Sequence, residues 1–192
     1  LLASYPRSEN TWLRVMLFHA IFERAPKNLA EVDYGVPDRH FKVSPAQLLG
    51  SSLSRFGFRY AVKTHNCIRC PDIPVHGCYI VRSPLDVIPS YYHYNTAMNK
   101  KISLEEFCDR CVSGLIWPGS WFDHVQAWRK VVENNKDTFL IVNYEKLKNN
   151  NTHEIGKFFS SFGIDGKENE SLFSFYNFKR MKSLEVKGNR RG

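Results

Sequence analysis

The first fourteen residues, Leu1-Leu2-Ala3-Ser4-Tyr5-Pro6-Arg7-Ser8-Glu9-Asn10-Thr11-Trp12-Leu13-Arg14, constrain the fold of the chain most. A short apolar run enters a polar turn, and an apolar segment with helical spacing (Trp12, Val15, Met16, Ala20, Ile21, widened by Leu13 and Leu17) follows at once. That order reads as a buried strand, a tight loop carrying a cation and hydroxyls, and a helix whose first N–H groups are free to meet an anion. A phosphate is the expected ligand. The loop is not a Walker A loop, since it lacks the glycines and the closing Gly-Lys-Ser/Thr.

The rest of the chain alternates strands and helices. Pro26 ends the first helix; 27–57 is an expected excursion with a short capped helix at Ser44-Pro45. Phe58 to Lys63 alternates as a strand ending at Thr64-His65, and Gly77 to Val81 is a second strand ending at Arg82. Ser83, Pro84 and Asp86 give the next helix a capping box, with Pro89 expected to kink its interior. Ser103 opens another helix to about Val112, within a second excursion spanning 95–120. Trp121 to Glu133 is helical, Thr138 to Asn143 is a buried strand that stops at Tyr144, and Thr152 to Phe162 repeats apolar residues at helical spacing. This is the grammar of a single α/β domain: three layers around a central, mostly parallel sheet with a P-loop-like anion corner. In such a sheet ligands sit outside the carboxyl ends of the strands. Arg7, Lys63, His65, Arg82 and Tyr144 all fall at or just past those ends.

Several of these segments resemble the sulfotransferase family. Tyr5-Pro6-Arg7-Ser8-Glu9-Asn10-Thr11-Trp12 is similar to its 5′-phosphosulfate loop, usually Tyr-Pro-Lys/Arg-Ser-Gly-Thr/Asn-Thr-Trp. Tyr79 to Ser90, with its Arg-x-Pro-x-Asp-x-x-x-Ser pattern, resembles the segment that binds the 3′-phosphate through Arg82 and Ser90. Val62-Lys63-Thr64-His65 is similar to the Lys-Thr-His strand end that supplies the base. Tyr144-Glu145-Lys146-Leu147-Lys148 resembles the segment whose Tyr lies near the adenosine. Phe178-Lys179-Arg180-Met181 is similar to a Phe-x-x-Met stretch that meets the adenine, and Arg190-Arg191-Gly192 to a late Arg-Lys-Gly that closes on the 3′-phosphate.

The resemblance implies transfer of a sulfuryl group from 3′-phosphoadenosine 5′-phosphosulfate (PAPS, leaving the bisphosphate PAP) to an acceptor hydroxyl or amine. His65 is then the base, with Lys63 and Arg7 near the leaving oxygens. Ser8, Asn10, Thr11 and Trp12 complete the phosphate cradle, and no metal is needed. His124, Tyr91 and Trp121 are expected at the acceptor, and Asp86 is expected to cap or buttress. Glu9 departs from the family pattern: it stands where Gly is usual, and a carboxylate facing the phosphates would repel them, so an enzyme with impaired cofactor binding is an alternative.

Two other readings use the same residues. One is a P-loop kinase or nucleotide-binding module without transfer activity, against which the missing Gly-Lys-Ser/Thr argues. The other is a zinc-stabilised binding module built on His65, Cys67, Cys70, His76 and Cys78, with a single Cys-x2-Cys at its centre.

Composition excludes several classes. With 192 residues, 43% hydrophobic and 14% aromatic, the chain has enough apolar surface to bury a core and is not disordered. Five cysteines, an odd number, do not imply a disulfide scaffold. The net charge of +8 suits a phosphorylated ligand, and the scattered Lys and Arg form no nucleic-acid stripe. A small hydroxylated or phenolic acceptor is therefore expected before a glycan or protein. No apolar run reaches the length of a spanning helix. A cytoplasmic location is the expectation, with a Golgi or secretory lumen open should an anchor precede this stretch, since the chain opens on a strand without Met. Two sequons, at Asn150 and Asn169, are compatible with glycosylation.

Overall fold

The computed structural model describes residues 1–8, 10–22, 63–67, 76–97, 102–166 and 170–177. Among these, strands β1 (Leu2–Ser4), β2 (Lys63–Thr64), β3 (Gly77–Val81) and β4 (Phe139–Asn143) form a sheet in the order β2-β1-β3-β4. Every pairing is parallel, with Leu2 in register with both Lys63 and Cys78, and Ile80 with Val142. The first helix, α1 (Asn10–Phe22), follows β1 after one turn of loop.

The two faces of the sheet follow from the side-chain alternation of a strand. Leu2, Cys78, Ile80 and Val142 lie on one face and pack with Trp12, Leu13, Met16 and Leu17 of α1. The same cluster takes in Ile155, Phe158 and Phe159 from the helix Thr152–Ser160 and Leu172 and Phe173 from the helix Glu170–Phe175. Ala3, Tyr79 and Phe139 occupy the opposite face under Val125, Trp128 and Val131 of the helix Trp121–Asn134. Helices on both faces of a parallel sheet make the three-layer α/β architecture that the alternating sequence predicts.

In chain order the remaining helices are α2 (Pro84–Ala97), α3 (Leu104–Val112), α4 (Trp121–Asn134), α5 (Tyr144–Lys148), α6 (Thr152–Ser160) and α7 (Glu170–Phe175). Ser103 and Ser120 cap α3 and α4 by accepting from the N–H of Glu106 and Asp123. At α2 the cap differs from the expected box: the Ser83 hydroxyl accepts from the N–H of Leu85, and Asp86 is exposed. The helix runs on through Pro89. Where the sequence suggested that β4 simply stops, Asn143 instead caps a short helix, accepting from the N–H of Lys146 at 3.0 Å. The carboxylate of Glu154, 2% exposed, accepts from the Asn143 N–H at 2.7 Å and from Lys157 Nζ at 3.1 Å. It thereby fixes the β4–α5 junction that carries Tyr144. Glu154→Ala should cost about 1.5–3 kcal/mol, the range of a lost hydrogen bond to a charged group, read as a lower urea midpoint at unchanged slope.

The sequence-predicted helix at 44–49, the strand from Phe58 to Val62 and the excursion 27–57 lie outside the described residues. The second excursion, 95–120, holds the end of α2, all of α3 and the loop that brings Trp117 toward the carboxyl end of the sheet.

Candidate active site

The loop between β1 and α1 turns on Arg7, whose φ of +65° puts a non-glycine residue in the left-handed region. Such a conformation is held by its surroundings, and two contacts hold it here. The Arg7 carbonyl accepts from Arg82 Nη1 at 3.0 Å, and Arg7 Nε donates to Ser90 Oγ at 3.2 Å. The Arg7 guanidinium also lies over the Tyr94 ring, 5.2 Å from its centroid. Thus Arg7, Arg82 and Ser90, assigned to phosphate from separate stretches of sequence, come together between the loop and α2.

Arg82 is positioned from below and behind. Its guanidinium stacks 4.5 Å from the centroid of the buried Tyr144 ring, a cation–π contact. Its main-chain carbonyl accepts from Trp121 Nε1 at 3.1 Å. Tyr144 is in turn edge-on to Trp12 at 6.3 Å, and Trp12 Nε1 donates to the carbonyl of Tyr176 after α7. The Trp12 side chain is therefore a core wedge, so any contact it gives a ligand comes from its main chain.

In the loop itself, Ser8 Oγ is buried and has no hydrogen-bond partner among the described residues. A buried hydroxyl without a partner is costly, and an anion oxygen would satisfy it. Asn10 at the start of α1 donates from Nδ2 to Ser4 Oγ at 3.2 Å, and the first turn of α1 carries no acidic residue. The loop thus fits an anionic group at a helix N-terminus. Thr11 is partly buried, with its hydroxyl accepting from Arg14 at 3.4 Å.

His65 stands one residue past β2, beside Ser4 at the end of β1. Its Nδ1 lies 2.8 Å from the Ser4 carbonyl oxygen. A carbonyl only accepts, so Nδ1 carries the proton and the neutral ring presents an unprotonated Nε2. Among the described residues nothing hydrogen-bonds that Nε2. The Trp117 ring stands edge-on to His65 at 6.2 Å and is 56% exposed, forming an aromatic wall beside it.

The three side chains expected at the acceptor each hydrogen-bond a main-chain carbonyl near the site. His124 is buried, with Nε2 3.0 Å from the His65 carbonyl and Nδ1 2.9 Å from the Tyr79 hydroxyl. Tyr91 is buried and donates to the Trp117 carbonyl at 2.8 Å. Trp121 donates to the Arg82 carbonyl. Each spends its polar atom on the main chain of a site residue. The sequence reading overlooked Ser4, whose carbonyl sets the His65 tautomer, and Tyr79. A tyrosine inside an otherwise aliphatic strand was the available signal, because a buried phenol needs a partner.

Burial holds His65 at about 4, below the usual 6.5, with the charges of Lys63, His124 and Arg14 adding to the effect and the Ser4 bond opposing it. Burial likewise brings His124 to about 4. Both are depressed in the folded state, so their contribution is complete above pH 6.5 and is lost as pH falls through about 4. Between those limits the unfolded chain binds more protons. The free energy of unfolding in urea should therefore fall from pH 6.5 to 4 with a slope of at most about two protons, and His124→Gln should remove about one.

Of the proposed zinc ligands, Cys78 is buried in the core beneath the sheet, where burial pushes its thiol up to about 12. Cys67 and His76 are exposed, and Cys70 lies outside the described residues. Glu9, Phe178, Arg190, Arg191 and Gly192 also lie outside them.

A family model described as the sulfotransferase domain matches residues 1–191. The chain belongs to the sulfotransferase domain family. It is 27% identical over 197 residues to sulfotransferase 1B1 of Canis lupus familiaris, an alignment covering 95% of this chain and 65% of that protein. Mouse sulfotransferase SULT7A1, solved in complex with PAP, aligns with a TM-score of 0.62 at 28% identity over 95% of this chain and 65% of that one. The fold is shared as well with retinol dehydratase, solved with androsterone and inactive cofactor PAP, at a TM-score of 0.66 and 18% identity over 94% and 64% of the two chains. The chain thus spans just under two thirds of the length of these sulfotransferase relatives. Among the described residues no helix is long and apolar enough to cross a membrane.

Proposed function

We propose that this domain transfers a sulfuryl group from PAPS to the hydroxyl of a small acceptor, with His65 as the base. The observation that carries the reading is the fixed tautomer of His65, whose unbonded Nε2 belongs to a residue at the same carboxyl end of the parallel sheet as the anion loop. Relatives of the chain are sulfotransferases, and one of them was solved with PAP.

In this reading Ser8, Asn10, Thr11 and the N–H groups from Asn10 to Trp12 hold the 5′-phosphosulfate. Arg82 and Ser90 hold the 3′-phosphate, with Tyr144 beneath the Arg82 guanidinium. Arg7 bridges the two ends: Nε is on Ser90, and its terminal nitrogens make no hydrogen bond among the described residues. Those terminal N–H groups and the Lys63 ammonium supply cations for the 5′-phosphate. The acceptor hydroxyl gives its proton to His65 Nε2 as its oxygen forms the bond to sulfur. The bond from sulfur to the bridging phosphate oxygen breaks in line, and the loop and the two cations take up the charge left on that oxygen. By resemblance to the family, Phe178 is assigned to the adenine and Arg190, Arg191 and Gly192 to the 3′-phosphate.

The exposed Trp117 beside His65 favours a flat apolar or phenolic acceptor over a glycan or protein. His124, Tyr91 and Trp121 then shape the acceptor side by holding the main chain around it. Incubating the protein with sulfur-labelled PAPS and a panel of phenols, sugars and lipids tests the reading. Label should move to a phenol with release of PAP; no transfer to any member by protein that binds PAP would refute it.

A further inference from the structure

We propose that His124 and Tyr79 are a positioning pair for the base, a hydrogen-bonded strut that fixes the main chain of His65 at the end of β2. The proposal deepens the reading of His65 as the base and rests on it.

The strut has a defined direction. The His65 carbonyl can only accept, so the His124 Nε2, 3.0 Å away, must carry a proton. A neutral His124 then presents a lone pair at Nδ1, and the Tyr79 hydroxyl 2.9 Å away must donate to it. Burial raises the Tyr79 phenol far above its ordinary range, which keeps it a donor. Both ring nitrogens of His124 are committed, so it has none to offer an acceptor or a proton in transfer.

The strut is also rigid. Tyr79 belongs to β3 and stacks on Trp128 at 5.7 Å with an interplanar angle of 16°. His124 is 1% exposed and meets the Tyr5 ring edge-on at 5.3 Å. Tyr5 is itself tied by its hydroxyl to the Gly119 carbonyl. Support for His65 has to come from contacts beyond the ladder, because among the described residues His65 lies just past the last register pair of β2 with β1, Thr64 with Ala3. Beyond that pair His65 is held by the Nδ1 bond to Ser4 on its side chain and by the His124 bond on its main chain. The first sets which nitrogen is free, and the second sets where it stands. A general base displaced by about 1 Å can lose about 10²-fold in rate, which is the kind of effect a main-chain strut prevents.

The test uses the full chain, nitrogen-15 labelled at histidine, with and without PAP. Ring spectra should show His65 as the Nδ1–H tautomer and His124 as the Nε2–H tautomer. Tyr79→Phe and His124→Leu should shift or exchange-broaden the His65 ring signals, whereas His124→Gln, whose amide can both donate to the carbonyl and accept from the phenol, should restore them. With 1-naphthol and PAPS, His124→Leu should lower kcat about tenfold to a hundredfold at unchanged PAP affinity, and the glutamine variant should regain most of it. Unchanged His65 signals in folded Tyr79→Phe or His124→Leu would overturn the proposal, as would a glutamine variant no better than leucine. Should His124→Leu fail to fold, Tyr79→Phe alone decides through the same signals and kcat. His65→Ala separates the two levels: undiminished turnover there refutes the base itself, whereas a loss there with silent strut variants refutes only the strut.

Discussion

His65→Ala is expected to lower single-turnover sulfuryl transfer by a factor of about 10² to 10⁴, the usual worth of a general base, while PAP binds as before. The separation follows from geometry. His65 Nε2 makes no hydrogen bond among the described residues, and the His65 ring is hydrogen-bonded to Ser4 rather than to Arg82 or Ser90, the residues proposed for the 3′-phosphate. His65→Asn should fare no better, since an amide can keep the bond to the Ser4 carbonyl but cannot accept a proton near neutral pH. His124 cannot take over as the base. With Nδ1 accepting from Tyr79 and Nε2 donating to the His65 carbonyl, it has no free lone pair to serve.

Arg82→Ala should weaken PAP binding by about 2–5 kcal/mol, as expected for loss of one partner of a hydrogen-bonded charge pair. Binding of adenosine 5′-phosphate should change much less. The planar guanidinium lies over the Tyr144 ring, and one of its nitrogens holds the Arg7 carbonyl. Arg82→Lys should therefore lose most of the same affinity, because an ammonium supplies the charge but not the fork. Ser90→Ala should lose less, in the same ligand-selective way. Equal losses for the two nucleotides in calorimetry would show that Arg82 does not read the 3′-phosphate.

The parts of this site carried by local pattern were legible in the sequence. β3 is a short apolar run of the kind a buried strand needs, Ser103 announces a helix with a short-range cap, and the Tyr5 to Trp12 loop follows β1 and leads into α1 within a few residues. The short helices α5 and α7 were not legible, because five or six residues carry too little periodicity to stand out from a strand end or a loop. The roles of His124, Tyr91 and Trp121 were hidden for a different reason. An apolar helical stripe identifies a buried face without saying whether a polar atom on it meets a ligand or a main-chain carbonyl. Here the carbonyls belong to His65, Trp117 and Arg82, which are far away in sequence and positioned only once the sheet has formed. Ser4 was passed over because its contribution is a carbonyl oxygen, which every residue has.

The most direct test of the account is calorimetric titration of the protein with PAP, adenosine 5′-phosphate and ATP, the last with and without magnesium. An anion loop joined to a separate 3′-phosphate cluster predicts that PAP binds far more tightly than the other two and that magnesium adds nothing. ATP binding as tightly as PAP, and only with magnesium, would contradict it.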